Sequence, residues 1–283
     1  MSWVQSAAAV AATERAPRAE LRRAFTATRA RVGLVALLLA LAGIAWWSTA
    51  DRMAGMDGGP GTDLGALGWF LGVWVVMMGA MMLPSLAPTV ALYADMTRRR
   101  GLARPLLFVA AYLLVWGAAG LGAYGLFRAG KSLFGGELAW GAGGRWLAGA
   151  VLVAAAVYEV TPLKDVCLRK CRSPVGFLVG SWREGRIGAV GMGSTSAAWC
   201  MGCCWALMAS LFALGVMSLA WMALIAALIA LQKTFPSKRV ATWATAAILL
   251  VLAIAVMATP GSVPGLTVPG SHTAMHAMGG AMR

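Results

Sequence analysis

The chain has 283 residues, of which 60% are hydrophobic and only 12% charged, with a mean hydropathy of +0.75. Soluble globular domains carry about a quarter of their residues as charges, so composition argues against a water-soluble fold and against disorder, and makes the bilayer the expected solvent. The formal charge is nevertheless +14, and its Lys and Arg residues fall in short clusters between long apolar runs, the pattern of a positive-inside membrane protein rather than of a basic groove for nucleic acid.

A helix needs about 20 mostly apolar residues to cross a bilayer. Seven stretches meet or approach that length, at residues 32–49, 64–84, 105–127, 143–160, 189–214, 217–232 and 240–258. The expected fold is therefore all-α, a polytopic transmembrane helix bundle of seven spans. The sixth stretch is short, and Gly215 with Ser218 is thin punctuation after the fifth, so a six-span alternative with one very long helix stays open. Residues 1–31 read as a cytoplasmic basic arm, 32–258 as the transmembrane domain, and 259–283 as an external Pro/Gly-rich tail bearing His and Met. With seven spans, 19 of the 24 basic residues fall in one alternating set of loops and 5 in the other, which predicts a cytoplasmic N-terminus and an external C-terminus. Ser48-Thr49-Ala50 offers small residues after an apolar run, but the 31 residues before that run exceed a signal peptide's basic region. The first run is read as a retained helix of a multi-pass protein of the bacterial inner membrane.

Charged chemistry is nearly absent from these spans. Glu159, at the expected cytoplasmic end of the fourth, is the one acidic residue close to hydrocarbon, which disfavours a proton path through an intramembrane carboxylate. His272 and His276 both lie in the tail, so no pair of helices can hold haem through imidazoles. Gly125–Ser132 matches the letters of a phosphate-binding loop, G-x-x-x-x-G-K-S, but follows an apolar span rather than a strand, and no nucleotide is expected there.

Sulfur remains. The second span carries Met77, Met78, Met81 and Met82, two i,i+4 pairs on adjacent helix faces. The fifth carries Cys200, Cys203 and Cys204, with Cys200, Cys204 and Met208 along one stripe and Cys203 one step aside. Between the fourth and fifth, Cys167 and Cys171 would share a face if helical. With Glu159, these groups are expected to line one cytoplasm-facing cavity. Thiolate and thioether together favour Cu(I), and zinc stays open through the cysteines alone. On the external side Met53 and Met56 lie near Asp51 and Asp57, and His272, Met275, His276 and Met278, with Met282 beyond, form a secondary candidate set suited to an oxidising compartment. Each feature has a plainer alternative: methionine as core filler and cysteine as a small hydrophobe, Glu159 and the Lys164–Arg172 charges as bilayer-edge anchors, and Gly68 with Gly72 as a G-x-x-x-G packing motif.

At Met77–Pro84, Tyr158–Pro174, Cys200–Met208 and Gly215–Met222 the sequence resembles a bacterial domain-of-unknown-function family of predicted metal-binding integral membrane proteins, some labelled copper chaperones. The resemblance covers about residues 64–258 and leaves out the arm and the tail. This chain has Gln232-Lys233 where the family's sixth span ends in Glu-Lys, and Ser196-Ala197-Ala198-Trp199 where a Gly-rich approach precedes the first cysteine.

Residues and resemblance together imply a membrane protein binding a soft metal, copper(I), in delivery, transport or homeostasis. Its partners would be the bilayer, the ion and a metal-donor or metal-acceptor protein, with no nucleic acid, and a non-catalytic role is preferred. The alternatives are a thiol-disulfide oxidoreductase cycling Cys200-Met201-Gly202-Cys203 against Cys167 or Cys171, and an assembly factor with structural cysteines.

Overall fold

The computed structural model describes residues 32–51, 64–97, 101–134, 143–215 and 218–259. Met53, Met56, the basic arm and the His/Met tail lie outside them. All regular structure among the described residues is helical, with no strand. In chain order the helices are α1 (Val32–Asp51), α2 (Leu67–Met96), α3 (Ala103–Phe134), α4 (Arg145–Glu159), α5 (Pro162–Arg172), α6 (Pro174–Gly180), α7 (Gly185–Leu214), α8 (Leu219–Thr234) and α9 (Lys238–Ala258).

Five of these, α1, α2, α3, α7 and α9, are long and apolar enough to cross a membrane. The fourth and sixth expected spans are shorter. At 1.5 Å per residue, α4 rises about 22 Å and α8 about 24 Å, less than a hydrocarbon core. The α4 axis turns by 68° into α5, and the turn is written in Thr161-Pro162. Proline disfavours α conformation in the residue before it, while Thr161 caps the new helix by accepting from the Lys164 amide at 3.4 Å and Pro162 occupies its first turn. Ser173-Pro174 repeats the device to start α6. The segment 164–186, expected to be a loop, thus contains two helices. Between α7 and α8, Gly215 takes φ 113°, a region in which only glycine is at ease, and the single long helix of the six-span alternative does not form.

The second span differs most. Instead of ending at Pro84, α2 runs on through Pro84 and Pro88 to Met96. Interior proline breaks a helix in water, but neighbouring helices can support it in an apolar bundle. As a result Met77–Met82 lies near the helix midpoint rather than at its end. The nucleotide-like Gly125–Ser132 is continuous α3, without the strand, loop and helix that cradle phosphate.

Helix α7 is the hub, packing on α3, α4, α5 and α8, while α2 lies along α3 and α4 along α9. Trp74 lies over Gly120 and donates its Nε1 proton to the Trp116 carbonyl at 2.8 Å. Outward faces are apolar, with Leu114, Leu126, Val179 and Ile187 exposed, a surface suited to lipid. Among the described residues nothing lies within 4 Å of a Cβ placed on Gly68 or Gly72, so the G-x-x-x-G pair makes no close helix approach there. Close approach occurs at Gly193 of α7, where a Cβ would strike the Phe108 carbonyl and the Ala111 methyl of α3. Gly193→Leu is expected to cost more than the 1–3 kcal/mol or so of ordinary overpacking, because backbone rather than side chain must move. Thermal unfolding in detergent will register this as a lost or lowered transition, with Gly68→Ala and Gly72→Ala unchanged or slightly stabilised.

Candidate metal centre

Cys200 stands near the midpoint of α7, and Met82 near that of α2. Gly193 draws α3 against α7, and one turn of α3 beyond Phe108 Tyr112 reaches across to donate its hydroxyl proton to Cys200 Sγ at 3.0 Å. Met82 Sδ is 3.8 Å from the same sulfur. Both side chains are buried.

The third approach is by α5. Gly202 presents no side chain, and a Cβ there would lie 2.7 Å from Cys167 Sγ, so α5 can lie directly on α7. The Gly202 carbonyl accepts the Tyr158 hydroxyl of α4 at 2.5 Å. Cys171, one turn beyond Cys167, consequently meets Cys203, with 3.6 Å between their sulfurs. The Sγ atoms of Cys171, Cys200 and Cys203 all lie within 4.8 Å of one another, and among the described residues they are the one set of His, Cys, Asp and Glu side chains so grouped. The cysteines are free thiols. Three thiols with a thioether beside them form a soft donor set, the kind that selects Cu(I) over oxygen-seeking ions.

The remaining expected ligands fall around this group. Cys204 turns to the Cys200 carbonyl at 2.8 Å, and Cys167 is buried beneath Gly202. Met77, Met78 and Met81 are buried in α2, and Met208 is buried one turn beyond Cys204. Glu159 is committed elsewhere. Its Oε1 pairs with Lys164, both side chains having 0% exposure, and its Oε2 accepts from Gln232 Nε2 at 2.7 Å. The interior is therefore less free of charge than the hydropathy pattern implies. Arg172 extends this tie by donating to the carbonyls of Gln232 at 3.1 Å and Phe235 at 2.5 Å, so α4, α5 and α8 are locked at the bend. Of the external candidates, His272, Met275, His276 and Met278 lie outside the described residues.

Sequence reasoning passed over Lys233. Counted there as a loop charge, it closes the last turn of α8 and reaches inward, its Nζ donating to Ser85 Oγ at 2.9 Å and to Cys200 Sγ at 3.3 Å. It supplies the positive charge beside the sulfurs. The Gln232-Lys233 pair was visible as a motif, and Tyr112 as a phenol in an apolar helix needing a partner; neither pattern says which sulfur it meets.

A small cleft adjoins the group, with Cys171 and Cys200 in its wall and the exposed Lys170 among its lining residues. No curated protein and no solved structure matches the chain. The family comparison does find a match, which begins in α2, ends in α9 and takes in all three thiols, Met82, Tyr112 and Lys233: the chain belongs to the copper-chaperone family PpoB2, whose family model covers residues 71–256.

Proposed function

We propose that this protein is a membrane-embedded Cu(I) carrier that holds the ion between Cys171, Cys200 and Cys203, with Met82 as a weak fourth neighbour. The observation that carries this reading is the mutual approach of the three sulfurs within 4.8 Å, within a chain of a copper-chaperone family. Lys233 would offset part of the negative charge of the thiolates, and Tyr112 would orient Cys200. Cys171, partly exposed on the cavity, would be the sulfur that receives or releases copper. In this reading α4 and α8 are short passes beside the five long ones, and the N-terminus lies inside, supported by the 19 basic residues that a seven-pass arrangement puts on one side. That topology turns the basic last turn of α5, with Arg169, Lys170 and Arg172, toward the cytoplasm. Protein purified without chelator and loaded anaerobically with Cu(I) is expected to retain the metal through gel filtration, and the Cys171/Cys200/Cys203 triple serine variant to lose most of it. Equal copper content in the two would refute the assignment.

A membrane thiol-disulfide relay is the second reading, favoured by the 3.6 Å between the Cys171 and Cys203 sulfurs. In that case the two thiols pass two electrons and two protons to an acceptor disulfide and become a disulfide themselves. Thiol trapping in cells separates the readings, since a relay maintains an oxidised population and a copper site stays reduced.

A further inference from the structure

A second group of sulfurs lies along the seam between α2 and α7. Two contacts tie these helices at separate levels: Met82 Sδ lies 3.8 Å from Cys200 Sγ, and the ring centroids of Trp74 and Phe212 are 5.8 Å apart. Lower numbers on α2 thus meet higher numbers on α7, and the two helices run antiparallel. Residues four apart stack on one helix face, so Trp74, Met78 and Met82 form a stripe of α2, and Cys200, Cys204, Met208 and Phe212 a stripe of α7. The stripes touch at both ends. Their middle members, Met78, Cys204 and Met208, fall between the two contacts and are buried, with 0%, 2% and 4% exposure. Phe70, stacked on Trp74 with 5.7 Å between centroids, backs the aromatic end of the seam.

Leucine would fill a methionine's place in an apolar seam at nearly the same volume; what sulfur adds is a soft donor. The donor count also matches the charge of one ion. One thiolate and two thioethers around Cu(I) sum to zero, so the interior is left with no uncompensated charge. The three rotatable bonds of methionine let each thioether turn onto an ion without moving its helix. Resting on the Cu(I) reading above, we propose that Met78, Cys204 and Met208 form a second, weaker Cu(I) site, one helical turn along α7 from the three-thiol centre. Cys204 follows Cys200 by a rise of about 6 Å, a single step for an ion exchanged between sulfurs. On binding, a bond from copper to Cys204 Sγ forms as the S–H bond breaks. The thiol gives up its hydrogen bond to the Cys200 carbonyl, its proton passes to water, and copper remains Cu(I). With two neutral donors of three, this site fills after the thiol centre.

The test is a count of copper bound. Full-length protein in detergent, purified free of metal, is titrated anaerobically with Cu(I) against a weak chromophoric Cu(I) chelator. Wild type is expected to take one equivalent tightly and a second more weakly. Met78→Leu with Met208→Leu should keep the first equivalent at unchanged affinity, which also reports an intact fold, and lose the second. Cys204→Ser should do the same, and each single methionine variant should weaken the second equivalent by more than about tenfold. Met77→Leu, one position off the stripe, should retain both. A wild type that stops at one equivalent, a second equivalent that survives the double variant, or one lost equally in Met77→Leu would overturn the second site and leave the first standing. A wild type that binds no copper would overturn both.

Discussion

Cys200→Ser is expected to weaken Cu(I) binding by more than about 100-fold while leaving the fold intact. Cys200 is the sulfur on which the centre converges: Met82 Sδ lies at 3.8 Å, the Tyr112 hydroxyl at 3.0 Å and Lys233 Nζ at 3.3 Å. A serine hydroxyl can still receive the Tyr112 and Lys233 protons, so little packing is lost, but a hard oxygen is a poor partner for Cu(I). Neighbours that merely orient a ligand are worth about 10–100-fold in metal affinity, which is the range expected for Tyr112→Phe and Lys233→Met. Losing the ligand itself exceeds it. Cys204→Ser is the contrasting case. The Cys204 thiol donates to the Cys200 carbonyl, a bond that a hydroxyl reproduces, and its affinity should stay close to wild type. Competition against a chromophoric Cu(I) chelator ranks all four variants on one scale.

The second large effect belongs to the tie at the bend. Glu159→Leu leaves Lys164 enclosed, with 0% of its side chain exposed, and without its carboxylate. Removing one partner of a buried pair costs about 3–5 kcal/mol, because the other charge stays behind uncompensated. Replacing both, as Glu159→Leu with Lys164→Met, is expected to recover much of that loss. Gln232 contributes a hydrogen bond to the same carboxylate, so Gln232→Leu should cost less than Glu159→Leu. Thermal unfolding in detergent measures all of these. Copper retention should follow stability here, since Cys171 rides on α5 and α5 is held by this tie.

The comparison of sequence with structure turns on which decisions are local. Apolar length revealed five of the helices because the bilayer sets that length and no partner is needed to read it. The bend after α4 was not read, although its signal is local: Thr161-Pro162 stops one helix and caps the next, where a loop was expected. The extent of α2 has no such local signal. Pro84 reads locally as a stop, and only the helices packed around it make continuation to Met96 possible, which puts the methionines at mid-helix and Met82 against Cys200. Within α7 the stripe rule aligned Cys200 with Cys204, yet Cys203 joins Cys200 instead. The side from which α5 arrives decides this, and Gly202 sets that side by leaving room for Cys167. Lys233 illustrates the same limit for charge: a cation at a helix end counts toward topology until tertiary packing turns it onto a thiol.

The central claim is that one copper ion sits among three sulfurs contributed by α5 and α7. X-ray absorption at the copper edge of the anaerobically loaded protein tests it most directly. The account predicts Cu(I) with a shell of three sulfur neighbours drawn from Cys171, Cys200 and Cys203, falling in sulfur count in Cys203→Ser and unchanged in Cys204→Ser. A shell dominated by nitrogen or oxygen, or a sulfur shell indifferent to Cys203→Ser, would contradict it.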